Sequence, residues 1–366
     1  MIWHVRGVFL PHEGEQEAWI VNGRITFEKP TLGGDRTATI ATSGWIIPGF
    51  VDAHCHVGIS PQGHVSDRPA QARQAMQNRE AGALLLRDAG SPVDTAWINE
   101  HHELPQVIRA GRHIARTRRY IRGQGVEVEP DGLVAEVERQ VSRSDGWVKI
   151  AADWIDRDAG DLAPTFPVDA LTEAVAKAHE LGARVAIHAF GEEALEDGIE
   201  AGVDSIEHAT GLTESSLDRL RERNIAIVPT LVNVDQFHDI ARQAESKFPR
   251  YARHMQDLFA TSRRRVRSAW EAGVRVFVGT DAGGTLPHGL VRSEITALVG
   301  AGMPLDEVIG QASWRAREWL GLPCLTEGAS ADLVVFDDDP RSDLTVMYRP
   351  RIVMLRGSIV SGGLGQ

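Results

Sequence analysis

A chain of 366 residues with 42% hydrophobic content can bury one large core, or a barrel with a modest appendage, and is too short for several independent domains of ordinary size. A formal net charge of −12, with no extended stripe of Lys and Arg, excludes a nucleic-acid surface. Two cysteines, Cys55 and Cys324, are too few for a disulfide framework; with no leader pattern and no run of about eighteen apolar residues, the expectation is a cytoplasmic protein without a membrane partner.

The first 43 residues contain WHVRGVFL, AWIVNGRITF and TATIAT, short β-rich runs separated by turns. From about Gly44 onward β-rich runs alternate with helical stretches, the pattern of a parallel sheet covered by helices. The runs are WIIPGFVDAH around Val51, ALLLRDA around Leu85, QVIRAG around Ile108, WVKIAA around Lys149, RVAIHAF around Ile187, DSIEHA around Ile206, IAIVPTL around Val228 and VRVFVGTDAG around Phe277. The amphipathic segments PVDALTEAVAKAHELG and EEALEDGIEAG end at Gly182 and Gly202, as a glycine just past a helix should. The interval from about Asn233 to Gly273 reads as mostly helical. Beyond Glu327 the tail returns to short strands, ADLVVFD and RIVMLRGSIVSGG. Eight βα units in sequence predict an α/β fold, a (β/α)₈ TIM barrel over 44–326. The ends, 1–43 and 327–366, are expected to pair into one small β-sandwich, because isolated hairpins are marginal. An open doubly wound sheet is the rival, but no glycine-rich dinucleotide fingerprint follows the first run.

His54 and His56 stand two apart in VDAHCHVG, so an extended strand turns both to one face, into the barrel, and Cys55 toward the helices. On their own they read equally well as core histidines. His188 in VAIHAF, His208 in SIEHAT and Asp281 in VGTDAG, however, each end a β-rich run, where barrel residues meet the active site. Lys149 does so in WVKIAA, and an inward ammonium in an apolar strand requires a partner.

PGFVDAHCH, the strand lysine, the two later histidines and GTDAG, in that order and spacing, resemble the amidohydrolase superfamily, and the tail ADLVVFDDDP is similar to a sandwich strand of that family. The segments AHELGARVAIHAFGEEALEDGIEAGVDSIEHATGL and VPTL resemble its prolidase-like and imidazolonepropionase-related branch. The resemblance implies two divalent metal ions, expected to be zinc. His54, His56 and Asp281 would hold the more buried one, His188 and His208 the more exposed one, and Lys149, carbamylated, would bridge them. It implies hydrolysis of an amide C–N bond by a hydroxide between the metals, with Asp281 as general base and then general acid. The plainer reading of Lys149 is an ion pair with a carboxylate such as Asp153.

Substrate choice falls to the loops. RAGRHIARTRRYIRGQGVEV carries Arg109, Arg112, Arg116, Arg118, Arg119 and Arg122, of which several could clamp a carboxylate; a solvated surface loop is the alternative. Arg119 and Tyr120 are candidate substrate contacts, Tyr120 as a hydroxyl donor to the carbonyl oxygen. His113 has no assigned role. Asp153 and Trp154 are expected to narrow the pocket, as an anchor and an apolar wall, and His288 in TLPHGL to stand near the substrate. The expected partner is a small amide, a dipeptide or N-acyl amino acid; homo-oligomerisation is left open. Competing readings are a mononuclear deaminase or cyclic-amide hydrolase, which has no need of Lys149, and a non-catalytic scaffold, against which the filled ligand positions argue.

Overall fold

The computed structural model describes residues 2–31, 37–41 and 43–362. Seven of the eight expected runs form strands, in two parallel sets. Phe50–Cys55 pairs with Ala83–Asp88, which pairs with Gln106–Arg109. A second parallel set runs Val126–Val128, Ile114–Arg116, Trp147–Ala151, Arg184–Ala189, Ser205–His208 and Ala226–Val228. The expected eighth strand is an extended segment rather than a regular strand. It donates from Phe277 to Ile227, accepts from Ile227 at Arg275 and from Ala53 at Val278, and so lies between the last strand of the second set and Phe50–Cys55. Its ladder fails because the amides of Thr280 and Asp281 both donate to the carbonyl of His54, so the register does not advance.

Inward side chains form an apolar floor that includes Val51, Ala53, Leu85, Trp147, Ala186 and Phe277, closed below by Trp319. Phe50, Cys55, Leu84, Leu86, Val148 and Ile187 face outward into a larger core shared with the helices. Strict alternation would put Val51 and Ala53 on the face opposite His54 and His56. The pairing with Ala83–Asp88 shifts register between Asp52 and Cys55, and this irregularity turns the two histidines inward as well.

The helices after the fourth and fifth expected runs are Val168–Glu180, followed by Gly182 at φ 77°, and Glu192–Ala201, capped by Gly202 at φ 78°. The interval before Gly273 folds as Leu231–Val234, Phe237–Ala244 and the long Pro249–Glu271.

The two ends of the chain pair in one eight-stranded sheet. Its order is Ser358–Gly362, Ile352–Leu355, Leu333–Phe336, Trp45–Pro48, Ile2–Phe9, Glu15–Val21 and Arg24–Thr26, with Thr37–Ala41 also beside Ile2–Phe9. Thr42 of the TATIAT run, and 363–366 of the tail, lie outside the described residues. The first expected run divides between the terminal sheet and the parallel strands. Trp45–Pro48 joins the former, Phe50–Cys55 the latter, and the chain passes between them at Gly49, where a Cβ would sit 2.5 Å from Leu84. Val5, Phe9, Ile20, Ile46, Leu333 and Met354 give the terminal sheet its own core.

Candidate metal centre

The ends of four strands and of the extended eighth segment bring together His54, His56, Lys149, His188, His208 and Asp281. His54 Nδ1 lies 2.6 Å from Glu207 Oε2, and His56 Nδ1 2.8 Å from the carbonyl of Gly90, so each Nδ1–H donates outward. In the neutral rings both Nε2 atoms then present lone pairs to Asp281 Oδ1, at 3.2 and 2.9 Å, and are 3.2 Å from each other. Three acceptors meeting at one point demand a cation between them. A tetrahedral ion with arms of about 2.0 Å has ligand-to-ligand edges of about 3.3 Å, which these three distances match. Burial lowers the proton affinity of His56, but Asp281 outweighs it and raises the net pKa, as expected where a cation belongs.

His208 Nδ1 is 2.7 Å from Thr230 Oγ1, leaving Nε2 free. His188 Nε2 is 3.4 Å from Asp153 Oδ1, leaving Nδ1. His54, His56 and His208 thus each have one nitrogen bonded to an orienting group and the other available, the arrangement that metal-ligating histidines share, whereas His188 Nε2 approaches Asp153 without a hydrogen bond. The rings of His188 and His208 are 4.6 Å apart, and those of His54 and His208 5.2 Å. Among the described residues, donor atoms of His54, His208 and Asp281 lie within 4.8 Å of one another, a set that cuts across the expected division of ligands.

Lys149 is 1% exposed and its Nζ has no hydrogen-bond partner, so the ion pair with Asp153 is not formed. Burial lowers its pKa to about 8. Asp153 does not narrow the pocket, contrary to expectation. Its Oδ2 accepts from the amides of Phe190 and Gly191 at 2.8 and 2.6 Å, and it stands behind His188. Burial raises its pKa to about 7.

Two backbone features complete the site. His208 at φ 67° and Asp281 at φ 55° are left-handed, an uncommon state for such residues. The turn at His208 breaks the alternation, so that neighbouring Glu207 and His208 both reach His54. Gly90, at φ 119°, offers its carbonyl to His56, and a Cβ there would press within 3.0 Å of His113.

Glu207 and Arg87 are site residues that sequence reasoning missed. Both are buried: Arg87 donates to Glu207 Oε1 at 2.7 Å and packs against both Trp147 and Trp319, its Cζ 4.5 and 4.9 Å from the ring centres. Burial alone would raise the Glu207 pKa, but Arg87, Lys149 and His54 hold it well below the carboxylate range. An arginine in the apolar run ALLLRDA was the available signal. His113 is also buried, its ring 4.9 Å from that of His56, with Nδ1 unpartnered.

A cavity of about 580 Å³ opens over His56, His188 and Asp281. Tyr120 and Trp154 line it, their rings 4.8 Å apart, as the sequence suggests. Arg119 does not: it donates to Asp156 Oδ2 at 2.7 Å and to the carbonyls of Trp154 and Ala163, fastening the hairpin Asp153–Asp156/Asp161–Pro164. His288 is buried beside the site, its Nδ1 3.1 Å from Asn78 Nδ2, and is not on the cavity wall.

The sequence model of the amidohydrolase family matches residues 45–360, and the chain belongs to that family, as a hydrolase acting on carbon–nitrogen bonds. It is 50% identical to an uncharacterised protein of Mycobacterium tuberculosis over 355 residues, 97% of this chain and 94% of that one. It is 27% identical to ochratoxinase of Aspergillus niger over 243 residues, 63% of this chain and 49% of that one. Among solved structures it is similar to a Xaa-Pro dipeptidase with bound methionine in the active site, at TM-score 0.80 and 23% identity over 99% of each chain. The last likeness speaks to the fold.

Proposed function

We propose that the protein hydrolyses an amide bond in a dipeptide or N-acyl amino acid at a binuclear metal centre, in a closed (β/α)₈ barrel that starts at Phe50 rather than residue 44 and runs to about 326, beside the sheet formed by the two ends. The observation that carries the binuclear reading is the Lys149 amine, buried and partnerless among the histidines. An amine with a pKa near 8 is about one-tenth neutral at pH 7, enough to add carbon dioxide with loss of a proton. The carbamate would be an anion with two oxygens to offer to metal ions, and it would replace the buried ammonium, leaving a single N–H at Nζ. His54, His56 and Asp281 would hold one ion, His188 and His208 the other.

Bound zinc ions would supply a polarised substrate carbonyl and a water of lowered pKa. The protein's own groups do the rest. Asp281 turns Oδ1 to His54 and His56, so Oδ2 is the oxygen that takes a proton from the attacking water and returns it to the leaving nitrogen. Tyr120, on the cavity wall, is the hydroxyl donor to the carbonyl oxygen as it gains charge, and Trp154 excludes water. We place the protein in the cytoplasm on its two free cysteines. No described helix is long and apolar enough to cross a membrane.

The close grouping of His54, His208 and Asp281 favours one rival, a mononuclear deaminase or cyclic-amide hydrolase. Metal analysis of protein prepared without chelators, for the wild type and Lys149→Ala, separates the two. The binuclear reading expects close to two ions in the wild type, one in the folded variant, and a carbamate carbon signal at the wild-type amine. An unmodified amine in active, metal-replete protein would refute it.

A further inference from the structure

We propose that Arg122 is the subsite for a free carboxylate on the substrate, which makes the preferred substrates N-acyl amino acids or dipeptides rather than neutral amides. The inference rests on the amide-hydrolase reading above and adds the group that selects the leaving side.

Of the arginines in the segment after the third strand, most are already engaged. Arg109 makes a bidentate pair with Asp145, Arg116 lies 3.6 Å from Glu129, and Arg119 is spent on the hairpin. Arg112 has its guanidinium turned to the carbonyl of Gly125. Arg118 does not line the cavity. Arg122 does, and among the described residues it makes no hydrogen bond or ion pair. It is the single guanidinium or ammonium group among the described residues of that wall, in a protein of net charge −12. A lone uncommitted fork in an acidic protein selects one planar anion and repels cations. Elsewhere the wall mixes polar groups such as Gln62, Gln124 and Asn233 with Trp154, Phe190 and Tyr251, and these aromatic faces give an acyl group or side chain a surface to pack on.

The test uses the metal-replete full chain and two readouts. Binding is followed by tryptophan fluorescence with N-benzoylglycine and its carboxamide; hydrolysis is followed with N-acetyl and N-benzoyl amino acids and their carboxamides. Arg122→Gln is expected to weaken binding of the acid by about tenfold, the lower end for a lost hydrogen bond to a charged group, and to leave the carboxamide unchanged. For any hydrolysed acid, KM rises by the same factor while kcat holds, and Arg122→Lys recovers part of the loss. Arg122→Glu should reverse the preference toward carboxamides. An acid held by the metal ions instead would bind Arg122→Gln as tightly as the wild type, and that result, or no binding of the acid by the wild type, would overturn the subsite. Unchanged hydrolysis in Arg122→Gln with none in Lys149→Ala would sink the subsite alone. Absence of hydrolysis across the panel, with Arg122-dependent binding intact, would sink only the amide-hydrolase reading.

Discussion

Replacing Glu207 with glutamine tests whether the centre is built outward from a buried charge. The side chain is fully buried, and it holds Arg87 at 2.7 Å through one oxygen and His54 at 2.6 Å through the other. Two separable losses follow. Arg87, 1% exposed, loses its counter-charge, and breaking a buried pair from one side costs about 3–5 kcal/mol. The amide oxygen still accepts one bond, and the Trp147 and Trp319 faces still stabilise the cation, so we expect the lower end, about 3 kcal/mol. His54 loses a charged acceptor that fixes its tautomer, which should reduce zinc affinity by about 10–100-fold. Denaturant unfolding of metal-free protein reads the first loss, since bound metal would mask it. Competition with a chromogenic chelator reads the second. Adding Arg87→Met removes the orphaned cation, so the double variant should regain most of the stability and none of the zinc affinity. Should Glu207→Gln bind zinc as the wild type does, Glu207 serves only to neutralise Arg87 and the reasoning about His54 fails.

Asp281→Asn keeps an oxygen beside His54 and His56 but cannot accept a proton, so kcat should fall by at least about 100-fold at matched metal content, with little change in substrate binding. Near-normal turnover would remove Asp281 as general base. His254 gives a pH prediction remote from the centre. It lies 3.0 Å from Glu192 and 2.9 Å from Asp161, and Glu192 first, against burial and with Asp161 added, raises its pKa from 6.5 to about 9. A raised folded-state pKa contributes stability that is complete below about 6.5 and is lost as pH climbs through about 9. The thermal midpoint should therefore fall between pH 7 and pH 10 (the range about those two values), and His254→Gln should flatten that part of the profile; an identical slope in the variant would contradict the assignment.

The order of strands and helices, and the placing of His54, His56, His188 and His208 at the ends of the first, fifth and sixth runs and of Asp281 at the end of the extended eighth, were legible along the chain, because the two-residue period of a strand and the 3.6-residue period of a helix are local properties. That the two ends would pair was legible for a related reason, since short strands that cannot stand alone need each other, but their arrangement in one eight-stranded sheet rather than the expected sandwich was not. What surrounds the histidines was decided only in three dimensions. Glu207 meets Arg87 across 120 positions of sequence, and nothing local to either announces the other. The two places where alternation fails, the register shift before Cys55 and the left-handed turn at His208, add to the inward faces residues that a strict period assigns elsewhere. The loops carry no period at all. That is why Arg119 and Arg122, three apart in one basic run, were indistinguishable until folding set one against Asp156 and left the other on the cavity wall. Charge and length of a side chain are written in the sequence, but whether that charge is already spent depends on neighbours that only the closed tertiary structure supplies.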